Sequence, residues 1–175
     1  MEIYELIQRD HKRIQTLLDN LVNATEHNEG TKRVLDDIEN ELIPHARAEE
    51  AIFYDSLREE SKSGKGAVNE SFSEHAQAET ILRSLKGMSK IDVEWQDAAK
   101  KLKESLDSHI VKEESQMFST AREVFSAEEA TQLGEAFDRM KPEIRQQGSI
   151  KNTAEFIANL MPSRFSEKFR NALGR

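Results

Sequence analysis

Apolar residues recur along most of this chain in alternating steps of three and four, the spacing of one helical face turned towards a core. Over 2–26 the seam runs Ile3, Ile7, His11, Ile14, Leu18 and Leu21. Over 31–60 it runs Leu35, Ile38, Leu42, His45, Glu49 and Ile52. Over 67–86 it is Val68, Phe72, His75, Glu79 and Leu82, and over 92–124 it is Trp95, Ala99, Leu102, Leu106, His109 and Glu113. Breaks fall at 28–30, at the segment SKSGKG and at Gly87. Short loops between long helices make neighbours antiparallel, so the pattern predicts an all-α, up-down-up-down four-helix bundle. Ser126 with Glu129 reads as a capping box that opens a short fifth helix to about residue 140. Pro142 and Gly148 are expected to loosen the chain. Two short helical stretches should follow, near 153–160 and 163–172, with Pro162 between them. The expected organisation is a bundle domain over 1–140 and a helical C-terminal extension over 141–175.

The seams are interrupted by polar residues where a core should be apolar. His11, His45, His75 and His109 are 34, 30 and 34 residues apart. Three of them are followed one turn later by a glutamate: His45 by Glu49, His75 by Glu79 and His109 by Glu113. Residues four apart on a helix share a face, so each pair points the same way. An offset of 64 maps His11 onto His75 and His45 onto His109, and with them Asp10 onto Glu74, Glu49–Glu50 onto Glu113–Glu114 and Tyr54 onto Phe118. Two helical hairpins related by a pseudo-twofold would assemble one site at mid-bundle.

A buried, unpaired carboxylate costs several kcal/mol, comparable with the stability of a small domain. A set of four histidines and three glutamates in the seams therefore needs common compensation, and a metal cluster supplies it by coordination. Imidazole nitrogen and carboxylate oxygen without thiolate suit iron, manganese or zinc, and so many ligands exceed a single tetrahedral zinc. Two ions fit better. Glu49 and Glu113, equivalent in the repeat, are assigned as bridges. His11 and His75 cap the ions, and His45 and His109 complete them. Glu79 takes the place of Gln15 in the repeat. It is either a seventh ligand, to one ion only, or a group behind a ligand or facing solvent. As a ligand it would leave an open position on the other ion, where oxygen or peroxide would bind. No catalytic residue beyond the ligands is expected.

Composition narrows the remaining choices. Charged residues make up 33% of the 175 residues, with only 3 prolines and 7 glycines, which favours helix. A net charge of −8 makes a poor nucleic-acid surface. The absence of cysteine excludes disulfides, iron–sulfur clusters and thiol catalysis, and fits a cytoplasmic location. The start, MEIYELIQRDHKRI, lacks the apolar run of a signal peptide, and no integral membrane segment is expected.

The constellation Asp10-His11, His45-Ala-Arg-Ala-Glu49-Glu50, Glu74-His75 and His109-Ile-Val-Lys-Glu113-Glu114 resembles the hemerythrin-like family of HHE cation-binding domains, over about residues 1–140. The resemblance implies a four-helix bundle around two non-haem iron ions, a centre of the Fe–O–Fe type. It implies small-molecule partners: dioxygen, hydrogen peroxide or nitric oxide. Oxygen-carrying hemerythrins have a histidine where this chain has Glu79. An added carboxylate stabilises ferric iron, so the departure argues for peroxide chemistry over reversible oxygen carriage. The cysteine-bearing segment of the related iron-centre repair proteins is missing. The expected function is hydrogen peroxide decomposition of catalase type. The alternative is an oxygen or iron sensor, carrier or reservoir without turnover.

Other residues are read more plainly. His27 lies in a break and belongs to no seam. Glu50 and Glu114, one position past the bridges, are read as surface groups or as groups orienting a histidine. Tyr54 is read as a packed aromatic in preference to an electron donor beside the site. The C-terminal stretch, with Phe156, Ile157, Leu160, Met161, Phe165, Phe169 and Leu173 among basic residues, is expected to fold back over the bundle. Self-association or a membrane surface is the other use for such a face.

Overall fold

The computed structural model describes residues 1–61, 64–146 and 157–173, and every regular element among them is helical. Helix α1 (Ile3–Val22) is followed by α2 (Glu29–Ala48), which continues through a π-helical stretch, Glu49–Tyr54, into α3 (Asp55–Glu60). Helix α4 (Gly64–Gly87) leads to α5 (Val93–Lys112), which passes through a second π-helical stretch, Glu113–Met117, into α6 (Phe118–Val124). Helices α7 (Ala127–Gln146) and α8 (Ser163–Leu173) follow, with a helical turn at 157–160 between them. Helix α1 packs against α2 and α5, and α4 against the same two, so four rods close a ring. No helix among the described residues is long and apolar enough to cross a membrane.

Local chemistry explains most boundaries. The Glu5 carboxylate accepts from the Glu2 backbone N–H at 3.1 Å and caps α1. Asn28 accepts from the N–H groups of Gly30 and Thr31 and starts α2, and Asp92 accepts from Trp95 N–H and starts α5. Helix α1 stops at Val22, short of the expected residue 26. The Asn23 side-chain amide takes the Asp19 carbonyl at 2.8 Å, a local bond that competes with helical continuation. The Ser126–Glu129 capping box forms as expected, with reciprocal bonds of 2.8 and 3.2 Å.

Helix α7 is longer than the short element expected to end near residue 140. It runs through Pro142 to Gln146 and packs across α1 and α2. Proline removes one helical hydrogen bond, but tertiary bonds hold the turns around it. Lys141 reaches Asp10 at 2.5 Å, and Arg145 donates to the Asn40 carbonyl at 3.0 Å and to Glu41 at 3.1 Å. Gly134 admits the N-terminal backbone against α7, since a Cβ there would lie 2.6 Å from the Met1 carbonyl oxygen.

The apolar interior has two parts. One contains Ile14, Leu18, Leu35, Leu42, Leu82, Trp95 and Leu102. The other contains Ile3, Ile7, Phe53, Tyr54, Phe118, Phe125 and Phe137. The second also takes in Ile157, Ala158, Met161, Phe165 and Phe169, so the described part of the C-terminal stretch folds back onto the bundle. Phe165 meets Phe125 edge-on at 5.6 Å, and Arg164 bonds Glu60 and Glu129 at 2.7 and 2.6 Å. Of the expected short helices, the part at 153–156 lies outside the described residues, as do Gly148 and positions 62–63 of the SKSGKG segment.

Candidate metal centre

Each of the four seam histidines lies along its helix between a residue of one apolar part and a residue of the other: His11 between Ile7 and Ile14, His45 between Leu42 and Ile52, His75 between Val68 and Leu82, His109 between Leu106 and Met117. The result is a polar layer at mid-bundle. All four are 2–3% exposed, and Glu49 and Glu113 are fully buried.

The imidazoles turn their Nε2 atoms inward. Glu49 Oε1 lies 3.0 Å from His45 Nε2 and 3.7 Å from His11 Nε2, while its Oε2 lies 3.6 Å from His75 Nε2. Glu113 Oε2 lies 3.2 Å from His11 Nε2 and 3.8 Å from His109 Nε2. His75 and His109 bring their Nε2 atoms to 3.2 Å. Two groups of three with metal-binding spacing result: His11, His45 and Glu49, and Glu49, His75 and His109. Glu49 belongs to both.

The outward Nδ1 atoms each face a carboxylate. His11 Nδ1 meets Glu114 at 2.8 Å, His75 Nδ1 meets Glu50 at 3.1 Å, and His109 Nδ1 meets Glu74 at 2.8 Å. His45 Nδ1 lies 3.5 Å from Asp10. The pairing obeys the pseudo-twofold, and all four acids stand next to a ligand candidate in sequence. An Nδ1–H held from behind leaves the Nε2 lone pair facing the centre. Glu50 and Glu114 thus orient histidines.

The wide turns that begin at Glu49 and Glu113 are part of the site. A π turn lets consecutive residues do two jobs. Glu49 faces the centre while Glu50 reaches His75, and Glu113 faces the centre while Glu114 reaches His11.

Electrostatics follow from crowding. Burial opposes charge on His11, but Glu113, Glu114 and Glu49 outweigh it and raise its pKa well above the ordinary value. Burial also opposes ionisation of Glu49, and His45 and His11 outweigh it in the other direction. Several buried atoms still have no hydrogen-bond partner among the described residues: His11 Nε2, Glu49 Oε1 and both oxygens of Glu113. Inward lone pairs, buried carboxylates and these orphaned atoms fit a cation, since buried polar groups need partners.

Glu79 stands apart from the convergence. Its carboxylate is held by Arg47 at 2.7 Å, and its side chain is largely buried. Tyr54, read from sequence as a packed aromatic, is fully buried and lies beside the site. Its ring stacks on His75 at 5.7 Å, and its hydroxyl lies 3.4 Å from Glu49 Oε2 and 3.5 Å from His109 Nε2. The signal lay in the repeat, where Tyr54 has Phe118 as its counterpart and so breaks the symmetry. Burial, then Glu113 and Glu49, push its pKa well above the ordinary value, so the phenol keeps its proton.

Fold and site together define a four-helix bundle whose histidine and glutamate groups are able to hold a metal. The model of the hemerythrin HHE cation binding domain matches residues 2–121, and the chain belongs to that family. A solved Hemerythrin HHE cation binding domain-containing protein from Mycobacterium kansasii superposes with a TM-score of 0.72 over 84% of this chain and 89% of that one, at 23% identity. The chain is also 27% identical over 146 residues to a DNA nickase of Nostoc sp., covering 83% of this chain but only 41% of that protein.

Proposed function

We propose that this chain holds two non-haem iron ions and decomposes hydrogen peroxide to water and dioxygen. The observation that carries the reading is Glu49, whose two oxygens face different histidine pairs. The residues that would hold the ions are His11, His45, Glu49, His75, His109 and Glu113, the two glutamates lying between the histidine pairs. Glu79, occupied by Arg47, is left outside the set. Iron, when bound, supplies the reversible electron exchange that peroxide decomposition requires.

The chain's own residues perform the rest. Glu114, Glu50 and Glu74 hold Nδ1 protons and fix ring orientation. The Tyr54 hydroxyl donates to Glu49 Oε2 and keeps a proton beside the His75–His109 pair. The two apolar parts exclude bulk water, which restricts partners to small molecules such as hydrogen peroxide, dioxygen and nitric oxide. Manganese and zinc share this donor preference. Nucleic acid has no part in the reading, given the net charge of −8. We assign the activity to the cytoplasm, which the cysteine-free composition suits.

Oxygen evolution on adding peroxide tests the reaction. Iron-loaded protein should evolve oxygen, and His45→Ala should not. No evolution from loaded protein would overturn turnover. A stable, reversible adduct in the visible spectrum would favour a carrier or sensor.

A further inference from the structure

The four acids behind the histidines are not equally free to act. Glu74 gives one oxygen, Oε1, to Lys112 at 2.7 Å and the other, Oε2, to His109 Nδ1 at 2.8 Å. Asp10 is arranged differently. Its Oδ1 is taken by Arg9 at 3.2 Å. Its Oδ2, the atom that faces His45 Nδ1 at 3.5 Å, is taken by Lys141 of α7 at 2.5 Å. His45 Nδ1 is left without a hydrogen bond. Lys141 is itself buried, with its ammonium over the Phe137 ring at 4.7 Å. Lys112, its counterpart in the other half, is an exposed side chain on its own bundle helix.

We propose that Lys141 is a positioning residue that draws Asp10 off His45 and makes the two metal positions unequal, the His11–His45 position being the weaker. The inference rests on the two-ion reading above. A carboxylate bonded to Nδ1–H raises the basicity of Nε2, and loss of such a partner weakens metal affinity about 10–100-fold. Three histidines have that support at hydrogen-bond distance and His45 does not. Helix α7, which contributes no ligand candidate, thereby sets the difference between the two ions.

Release of zinc(II) from the full chain into a chromophoric chelator tests this. Wild type loaded with two ions should release them in two phases whose rates differ about tenfold or more. Lys141→Met frees Asp10 Oδ2 to close on His45, and the phases should converge. Lys141→Gln carries the same expectation if the methionine variant does not fold. Lys141→Arg keeps the hold on Asp10 and should retain both phases. Leu133→Ala loosens α7 without touching the ion pair and should retain them too. Two bound ions leaving wild type in one phase would overturn the inference alone. So would two phases unchanged in Lys141→Met, or equal convergence in Leu133→Ala. Wild type that binds no metal would instead overturn the two-ion reading.

Discussion

Replacing Glu49 by glutamine separates a shared ligand from a one-sided one. The change conserves shape and removes the carboxylate whose oxygens lie 3.0 Å from His45 Nε2 and 3.6 Å from His75 Nε2. At free metal about a thousand times Kd, each ion stabilises the fold by about 4.1 kcal/mol, so two contribute about 8 kcal/mol. A chain of this size gains about 2–4 °C per kcal/mol, so loading should raise Tm by about 16–32 °C. Loss of a group behind a ligand weakens binding up to about a hundredfold, and a ligand costs at least about that much. A hundredfold is about 2.7 kcal/mol per ion, and about 5.5 kcal/mol when both ions lose the same ligand. Glu49→Gln should therefore cut the metal-induced rise by about 11–22 °C. His45→Gln, which touches one position, should cut it by about half as much. Differential scanning calorimetry of stripped and loaded protein measures both. Equal losses in the two variants, with one ion retained in each, would refute a shared Glu49.

Three further outcomes follow from single contacts. Glu79→Ala should leave metal content unchanged and cost under about 1 kcal/mol, since it removes only a partly exposed ion pair with Arg47; loss of an ion on metal analysis would make Glu79 a ligand. Phe165→Ala should cost about 3–5 kcal/mol in urea unfolding, as a buried aromatic truncation does; a cost under about 1 kcal/mol would mean that α8 does not dock on Phe125. Burial pushes the Tyr4 phenol up to about 12, against the opposing charge of Arg122. The neutral form is favoured in the fold, so its stability is full below the ordinary tyrosine value of about 10. It is lost as pH rises from there to about 12. Urea unfolding across that window should flatten in Tyr4→Phe, and an unchanged slope would contradict the assignment.

Much of the fold was legible because the ligand candidates share the seams that make the helices amphipathic. One period announced both the bundle and the level at which His11, His45, His75 and His109 meet. The acids behind them were half visible, as Asp10, Glu50, Glu74 and Glu114 each stand beside a ligand candidate. Which acid holds which ring depends on the π turns after Ala48 and Lys112, and no residue type there marks a wide turn. Glu79 kept the period but stands outside the two groups of histidine and glutamate that converge at mid-bundle. Arg47, exposed on the neighbouring helix, captures it, and no pattern within the third stretch records that. Lys141 was hidden for a similar reason. Its partner is far away in sequence, and the crossing of α7 over α1 and α2 comes from packing around Gly134 and Phe137.

The central claim is a pair of iron ions between two histidine pairs and two shared glutamates. Metal analysis of the aerobically purified chain tests it most directly. The account predicts about two irons per chain, falling in Glu49→Gln at both positions. Fewer than about one bound metal ion of any kind per chain would contradict it.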